Sequence, residues 1–144
     1  LNLIFVYRPS TKKIIWYSSG RTSRQHDSTF QNGHIMVFDN NPYTSKGSSL
    51  VKFIENNPLK PIERIYLKKK YGIHSEWRGN FEYYDEDNTL LISNDDRGQI
   101  IYTKLDGDNL FVFNNGTETK KNLITFAALK IEPEFIFNNE KKCK

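Results

Sequence analysis

One stretch of this sequence occurs twice. Asn32-Gly33-His34-Ile35-Met36-Val37-Phe38-Asp39-Asn40 lies over Asp87-Asn88-Thr89-Leu90-Leu91-Ile92-Ser93-Asn94-Asp95 at a shift of 55 residues. Each copy is followed by a Gly/Ser turn and a second apolar run, Ser49–Ile54 or Gln99–Leu105. Self-similarity at a fixed period is the mark of an array whose unit cannot bury its apolar faces alone and must stack on its neighbours. The unit here reads as turn, buried strand, polar Asn/Asp corner, turn, strand, strand. Four short antiparallel strands per unit is the pattern of a β-propeller blade.

The rest of the chain agrees with an all-β reading. Runs of β-branched and aromatic residues recur between Asn, Asp, Gly and Pro: Leu3–Tyr7, Ile14–Tyr17, His34–Phe38, Ser49–Ile54, Ile62–Leu67, Asn80–Tyr84, Thr89–Ser93, Gln99–Leu105 and Leu110–Phe113. No segment has a convincing helical pattern. Asn32-Gly33, Asp87-Asn88 and Asp106-Gly107 supply hairpin chemistry, so adjacent strands should pair antiparallel. Residues 1–20 read as the outer half of one blade, 26–71 and 80–114 as two full blades, and 122–137 as further strands interrupted by Pro133. Propellers close with about 4–8 blades. The expectation is therefore a piece of a larger propeller, completed by the rest of the chain or by other copies, since both ends fall within a blade. A compact sandwich or barrel is the alternative.

Composition narrows the partners. The 144 residues carry 21 Lys+Arg against 17 Asp+Glu, a net charge of +4. That surplus is mild, and its runs, Lys68-Lys69-Lys70 and Lys141-Lys142, read as solvated edges rather than a nucleic-acid surface. It still favours small anionic substrates, because a cleft focuses a positive field. No stretch approaches the roughly 18 apolar residues of a membrane span. The opening Leu1-Asn2-Leu3 lacks both a Met and a basic leader, as in a chain cut from a longer one. Cys143, the single cysteine, cannot form an internal disulfide.

Particular residues then suggest a family. Lys13-Ile14-Ile15-Trp16, a glycine-containing loop, Gln25-His26-Asp27-Ser28-Thr29-Phe30, the Asn32–Asn40 segment and Ser48-Ser49-Leu50-Val51 together resemble the arylsulfotransferases, six-bladed propellers. Arg78-Gly79-Asn80-Phe81, Asp87–Ser93 and Asp96-Arg97-Gly98-Gln99-Ile100 look like the family's next blade. The resemblance covers about Leu3 to Phe113 and is to the family's C-terminal part. It implies transfer of a sulfuryl group from an aryl sulfate to a phenol, with no nucleotide sulfate cofactor, through a sulfohistidine on the propeller axis. It also implies that His26 is the residue sulfated, that further histidines and an arginine come from blades outside these residues, and that the protein works in the periplasm or outside the cell.

The chemistry suits those residue types. A neutral imidazole is a good nucleophile near pH 7, and a covalent intermediate splits one hard displacement into two easier ones. Guanidinium groups donate charge-assisted hydrogen bonds to sulfuryl oxygens, so Arg21 and Arg24, just before His26, are candidate anion clamps. Asp27 either orients the ring or caps the turn. Arg78 and Arg97, each beside a glycine, either contact an anion or pair with Asp39, Asp95 or Asp96. His74, in the loop leading to the second blade, is a candidate contact at the channel mouth, whereas His34 reads as packing.

Trp16 and Trp77 are expected to pack between blades. The turns at Asn94-Asp95-Asp96 and Leu105–Asn109 read as hairpins rather than calcium loops. Asn115-Gly116-Thr117 is a glycosylation sequon. Cysteine and histidine spacings give no zinc site, and no glycine-rich loop or serine elbow appears, so no cofactor or metal is expected. The competing function is a non-catalytic propeller that binds a carbohydrate, peptide or protein, with His26 fully hydrogen-bonded and away from solvent.

Overall fold

A computed structural model describes residues 2–94, 97–107 and 109–115. The expected strands at 122–137, Lys141-Lys142, Cys143, Asp95, Asp96, Asp108 and most of the glycosylation sequon lie outside the described residues.

Among the described residues, ten antiparallel strands form three sheets. β1 (Leu3–Arg8) pairs with β2 (Lys13–Ser19). β3 (Gln25–Gln31), β4 (His34–Asp39), β5 (Ser49–Ile54) and β6 (Glu63–Tyr66) form a four-stranded meander. β7 (Asn80–Tyr84), β8 (Thr89–Asn94), β9 (Gln99–Lys104) and β10 (Asn109–Asn114) form another. The described strands do not close into a barrel. No helix among the described residues is long and apolar enough to cross a membrane.

Local chemistry explains the turns. Asn32 and Gly33 join β3 to β4 with φ of 51° and 73°. Both central residues of a type I′ turn need positive φ, and that turn's twist matches the strands it connects. Gln-His-Asp-Ser-Thr-Phe-Gln is polar and is not among the expected strand runs; its pairing with β4 makes it a strand, mostly exposed. The reading also finds no helix, yet Leu67–Tyr71 forms a single short one, α1. Gly72, at φ 71°, ends it by donating its N–H to Lys68 O, while Leu67 and Tyr71 turn inward. Lys68-Lys69-Lys70 are solvated as expected, on this helix rather than on a sheet edge.

Alternation along β4 decides how the sheets stack. Ile35 and Val37 face a cluster with Val51, Phe53, Ile4 and Trp16, which joins the first meander to the β1–β2 pair. Met36 and Phe38 face the opposite way, into a cluster with Leu50, α1, Phe81, Leu90, Ile92 and Ile101, which joins it to the second meander. The near-continuous apolar run of β4 is thus a strand buried on both faces. Trp16 packs edge-on against Phe53, as expected of a buried aromatic.

Polar ties hold the two meanders in register. Ser75 N–H donates to Ser48 Oγ (2.9 Å) and the Asn40 amide donates to Ser75 O (3.1 Å), with all three residues fully buried. Gly79 enters β7 so close to the Phe38 ring that a Cβ there would lie 2.4 Å from two ring carbons.

Candidate functional site

His26 is the second residue of β3, opposite Phe38 of β4. The pairing then skips to Ser28 opposite Val37, leaving Asp27 as the extra residue of a β-bulge at φ 45°. Bulges bend the strand and re-aim its side chains, and they recur beside active sites. The His26 side chain is exposed and makes no hydrogen bond among the described residues. It borders a cleft of about 390 Å³ between Leu3–Phe5 of β1 and Gln25–Ser28 of β3, floored by Val37.

Asp27 does neither of the two things expected of it. Its carboxylate accepts the Phe81 N–H of β7 at 3.0 Å, so the bulge residue bridges the leading strands of the two meanders. Gln25 anchors the other side of the cleft by donating its amide to Leu3 O (3.0 Å). The Gln-His-Asp triplet therefore carries two structural ties, with a free imidazole between them.

The candidate anion contacts spread over several places, and no arginine lines the His26 cleft. Arg21 is exposed and borders a second cleft of about 420 Å³, with Asp39, Asn41, Lys46, Arg64 and Tyr66. Arg24 has φ 51° and its N–H is held by Asn2 Oδ1. Its guanidinium carbon lies 4.0 Å from the Trp77 ring centroid and 4.9 Å from that of Tyr43. Arg78 is exposed before β7, with its N–H on Ser75 Oγ, and Arg97 is exposed in the β8–β9 turn. His74 is half-buried beside Gly47, its Nδ1 enclosed without a partner among the described residues.

Neither Arg78 nor Arg97 is the partner of Asp39. That partner is Arg64 of β6, which the sequence reading missed. Arg64 Nη1 donates to Asp39 Oδ2 (2.5 Å) and Ser49 Oγ (2.8 Å), and Nη2 donates to Arg21 O (2.5 Å). Asp39 Oδ1 takes the Ser23 N–H at 2.7 Å, so the buried carboxylate is satisfied on both oxygens. An acid ending an apolar strand needs such a cation, and that need is the signal the sequence carries. The other correction concerns Trp77, which is 58% exposed rather than packed between sheets.

Among the described residues no cluster of three His, Cys, Asp or Glu side chains could hold a metal. What the cleft offers is an uncommitted imidazole on a bent strand. The family model described as arylsulfotransferase (ASST) matches residues 1–116. No curated protein and no solved structure matches the chain. The matched span takes in every strand from β1 to β10 together with the Gln25-His26-Asp27 bulge, and the chain therefore belongs to the arylsulfotransferase family.

Proposed function

We propose that this chain takes part in sulfuryl transfer from an aryl sulfate to a phenol, with His26 as nucleophile. The observation that carries the reading, beside the family assignment, is the exposed His26 imidazole with no hydrogen bond to hold it. In the first step an imidazole nitrogen attacks sulfur. The N–S bond forms as the S–O bond to the aryl group breaks, and the aryl oxide leaves with the bonding pair. In the second step the phenol oxygen attacks the sulfohistidine, its proton passes to solvent or a base, and the imidazole is regenerated. Arg21, Arg24, Arg78, Arg97 and His74 are the candidate contacts for the anion within this chain. Since none of the arginines borders the His26 cleft, the reading calls for cations from neighbouring blades as well.

The same proposal reads β3–β6 and β7–β10 as consecutive propeller blades and β1–β2 as the outer half of the preceding one. Two facts support it: β3 and β4 begin 55 residues before β7 and β8, and Asp27 bonds the leading strand of the next meander. The remaining blades would come from the rest of the chain or from other copies. By family, the setting is the periplasm or the cell exterior. A purely binding propeller calls for a His26 buried and fully bonded, and the exposed imidazole disfavours it.

The test is transfer from p-nitrophenyl sulfate to a phenol by the full-length protein and by His26→Ala, with a search for an acid-labile sulfuryl group on the His26 peptide. We expect the variant to lose turnover on the order of a thousandfold or more, as nucleophile removal does, together with the modified peptide. A folded protein that transfers nothing across several donors and acceptors, or a variant as active as the parent, sinks the mechanism.

A further inference from the structure

Two loops distant in sequence expose aromatic rings at one cation. Tyr43, in the β4–β5 connection, is 73% exposed, and Trp77, before β7, is 58% exposed. Arg24 lies within cation–π distance of both. Its backbone is held by Asn2, and the rings restrain its side chain, so a usually mobile group is fixed in place. None of its guanidinium N–H donors meets an acceptor among the described residues, and no acidic side chain pairs with it there. The contrast with Arg64 is direct, since three of that residue's hydrogen bonds are spent on Asp39, Ser49 and Arg21.

We propose that Trp77, Arg24 and Tyr43 form a binding site for an aromatic anion, in which the guanidinium donors take the sulfate or sulfonate oxygens and the exposed rings stack on the aryl group. The ligand chemistry follows from the parts. A planar guanidinium fork matches tetrahedral oxyanions and carboxylates through paired N–H donors, and a cation already beside two rings favours an anion that brings a ring of its own. An inorganic anion would use only the donors, and a neutral aromatic only the rings. The His26 cleft, by contrast, is lined by aliphatic and polar residues apart from Phe5 and the imidazole itself. That the bound anion is the sulfuryl donor rests on the proposed function; that the site binds aryl anions does not.

Benzenesulfonate separates the two claims, because its sulfur is bonded to carbon and offers no transferable sulfuryl group. The experiment titrates the full-length protein with benzenesulfonate and follows the tryptophan fluorescence that Trp77→Phe removes; Trp16 is buried and packed on Phe53. We expect saturable binding, weakened about tenfold or more in Arg24→Gln through loss of a charge-assisted contact. Tyr43→Ala, at a site too exposed to disturb the fold, should weaken it by a smaller factor. Inorganic sulfate and benzyl alcohol should each bind at least about tenfold more weakly than benzenesulfonate. Equal binding of inorganic sulfate, equal binding of benzyl alcohol, no saturable signal, or unchanged affinity in folded Arg24→Gln would each overturn the site. Sulfuryl transfer without benzenesulfonate binding leaves the proposed function standing and removes this inference; binding without transfer does the reverse.

Discussion

The two meanders share strand order, yet they live in different surroundings. The first lies between the β1–β2 pair and the second meander, so β4 is buried on both faces and its corner is tied in: Asp39 by Arg64 and Ser23, and the Asn40 amide nitrogen by Ser75, with Asn40 Oδ1 alone unpaired among the described residues. The second contributes Phe81, Leu90, Ile92 and Ile101 to the shared cluster, but β10 is exposed along its whole length, including Leu110, Phe111 and Phe113. At its corner both amide atoms of Asn94 are enclosed and unpaired among the described residues. Similar strands thus owe their stability to what covers them. A four-stranded unit of this kind is finished by its neighbours, and only the first has them on both sides within the described residues.

The comparison breaks or holds most sharply at its aromatic residues. Phe38 is fully buried at the junction of the two meanders, whereas Phe113 is 45% exposed on β10. Phe38→Ala should cost about 3–5 kcal/mol, the lost transfer energy plus the cavity left behind. Phe113→Ala should fall within about 0.5 kcal/mol of the parent, as exposed substitutions do. Denaturant unfolding of both variants decides it. If Phe113→Ala costs as much as Phe38→Ala in the full-length protein, β10 is covered there and the contrast belongs only to the residues described.

A smaller effect is expected at the corners. Asp39→Ala leaves the Arg64 guanidinium and the Ser23 N–H without their acceptor, and breaking a buried pair costs about 3 kcal/mol at the low end of the usual range, which suits a partly exposed arginine. Asn94→Ala removes a side chain with no bond to lose among the described residues and should be near neutral or slightly stabilising. The same unfolding measurement serves. Equal costs at both corners would show that Asn94 has partners in the complete protein.

These contrasts also mark what the sequence could disclose. Ser49–Ile54 and Asn80–Tyr84 are legible to the residue, because apolar runs bounded by turn residues are set by local pattern. The hairpin at Asn32-Gly33 is legible for the same reason. β3 is not, since its polar residues become a strand only by pairing with β4. The candidate site divides likewise. His26 stands out through its neighbours in the chain, whereas the bulge beside it at Asp27 is tied to a partner 54 residues away. Arg64 and Asp39 meet across the width of a sheet, and Trp77 is expected between blades because an isolated tryptophan carries no sign of which side faces water. Pairwise geometry between distant loops was the missing information.

The seam between the two meanders has its own titrating probe. Tyr83, on β7, packs at the edge of the shared cluster, and its hydroxyl donates to Asn88 Oδ1 at 3.1 Å. Its pKa is raised above the ordinary 10.0, first by burial, then by the neighbouring Asp85 carboxylate, and last by the charge of Glu63 on β6 of the other meander. Tyrosine becomes charged by losing its proton, so a raised value means the folded protein holds that proton more tightly than the unfolded chain does. The associated stability is present in full below pH 10.0 and is lost as pH rises from there through the folded value. Tyr83→Phe should flatten that part of the alkaline loss, read as unfolding midpoint against pH. Glu63→Gln should lower the Tyr83 titration slightly in a tyrosinate absorbance difference against Tyr83→Phe. A Tyr83 that titrates identically in Glu63→Gln would show that the first meander's charge does not reach across the seam, leaving burial and Asp85 as the causes.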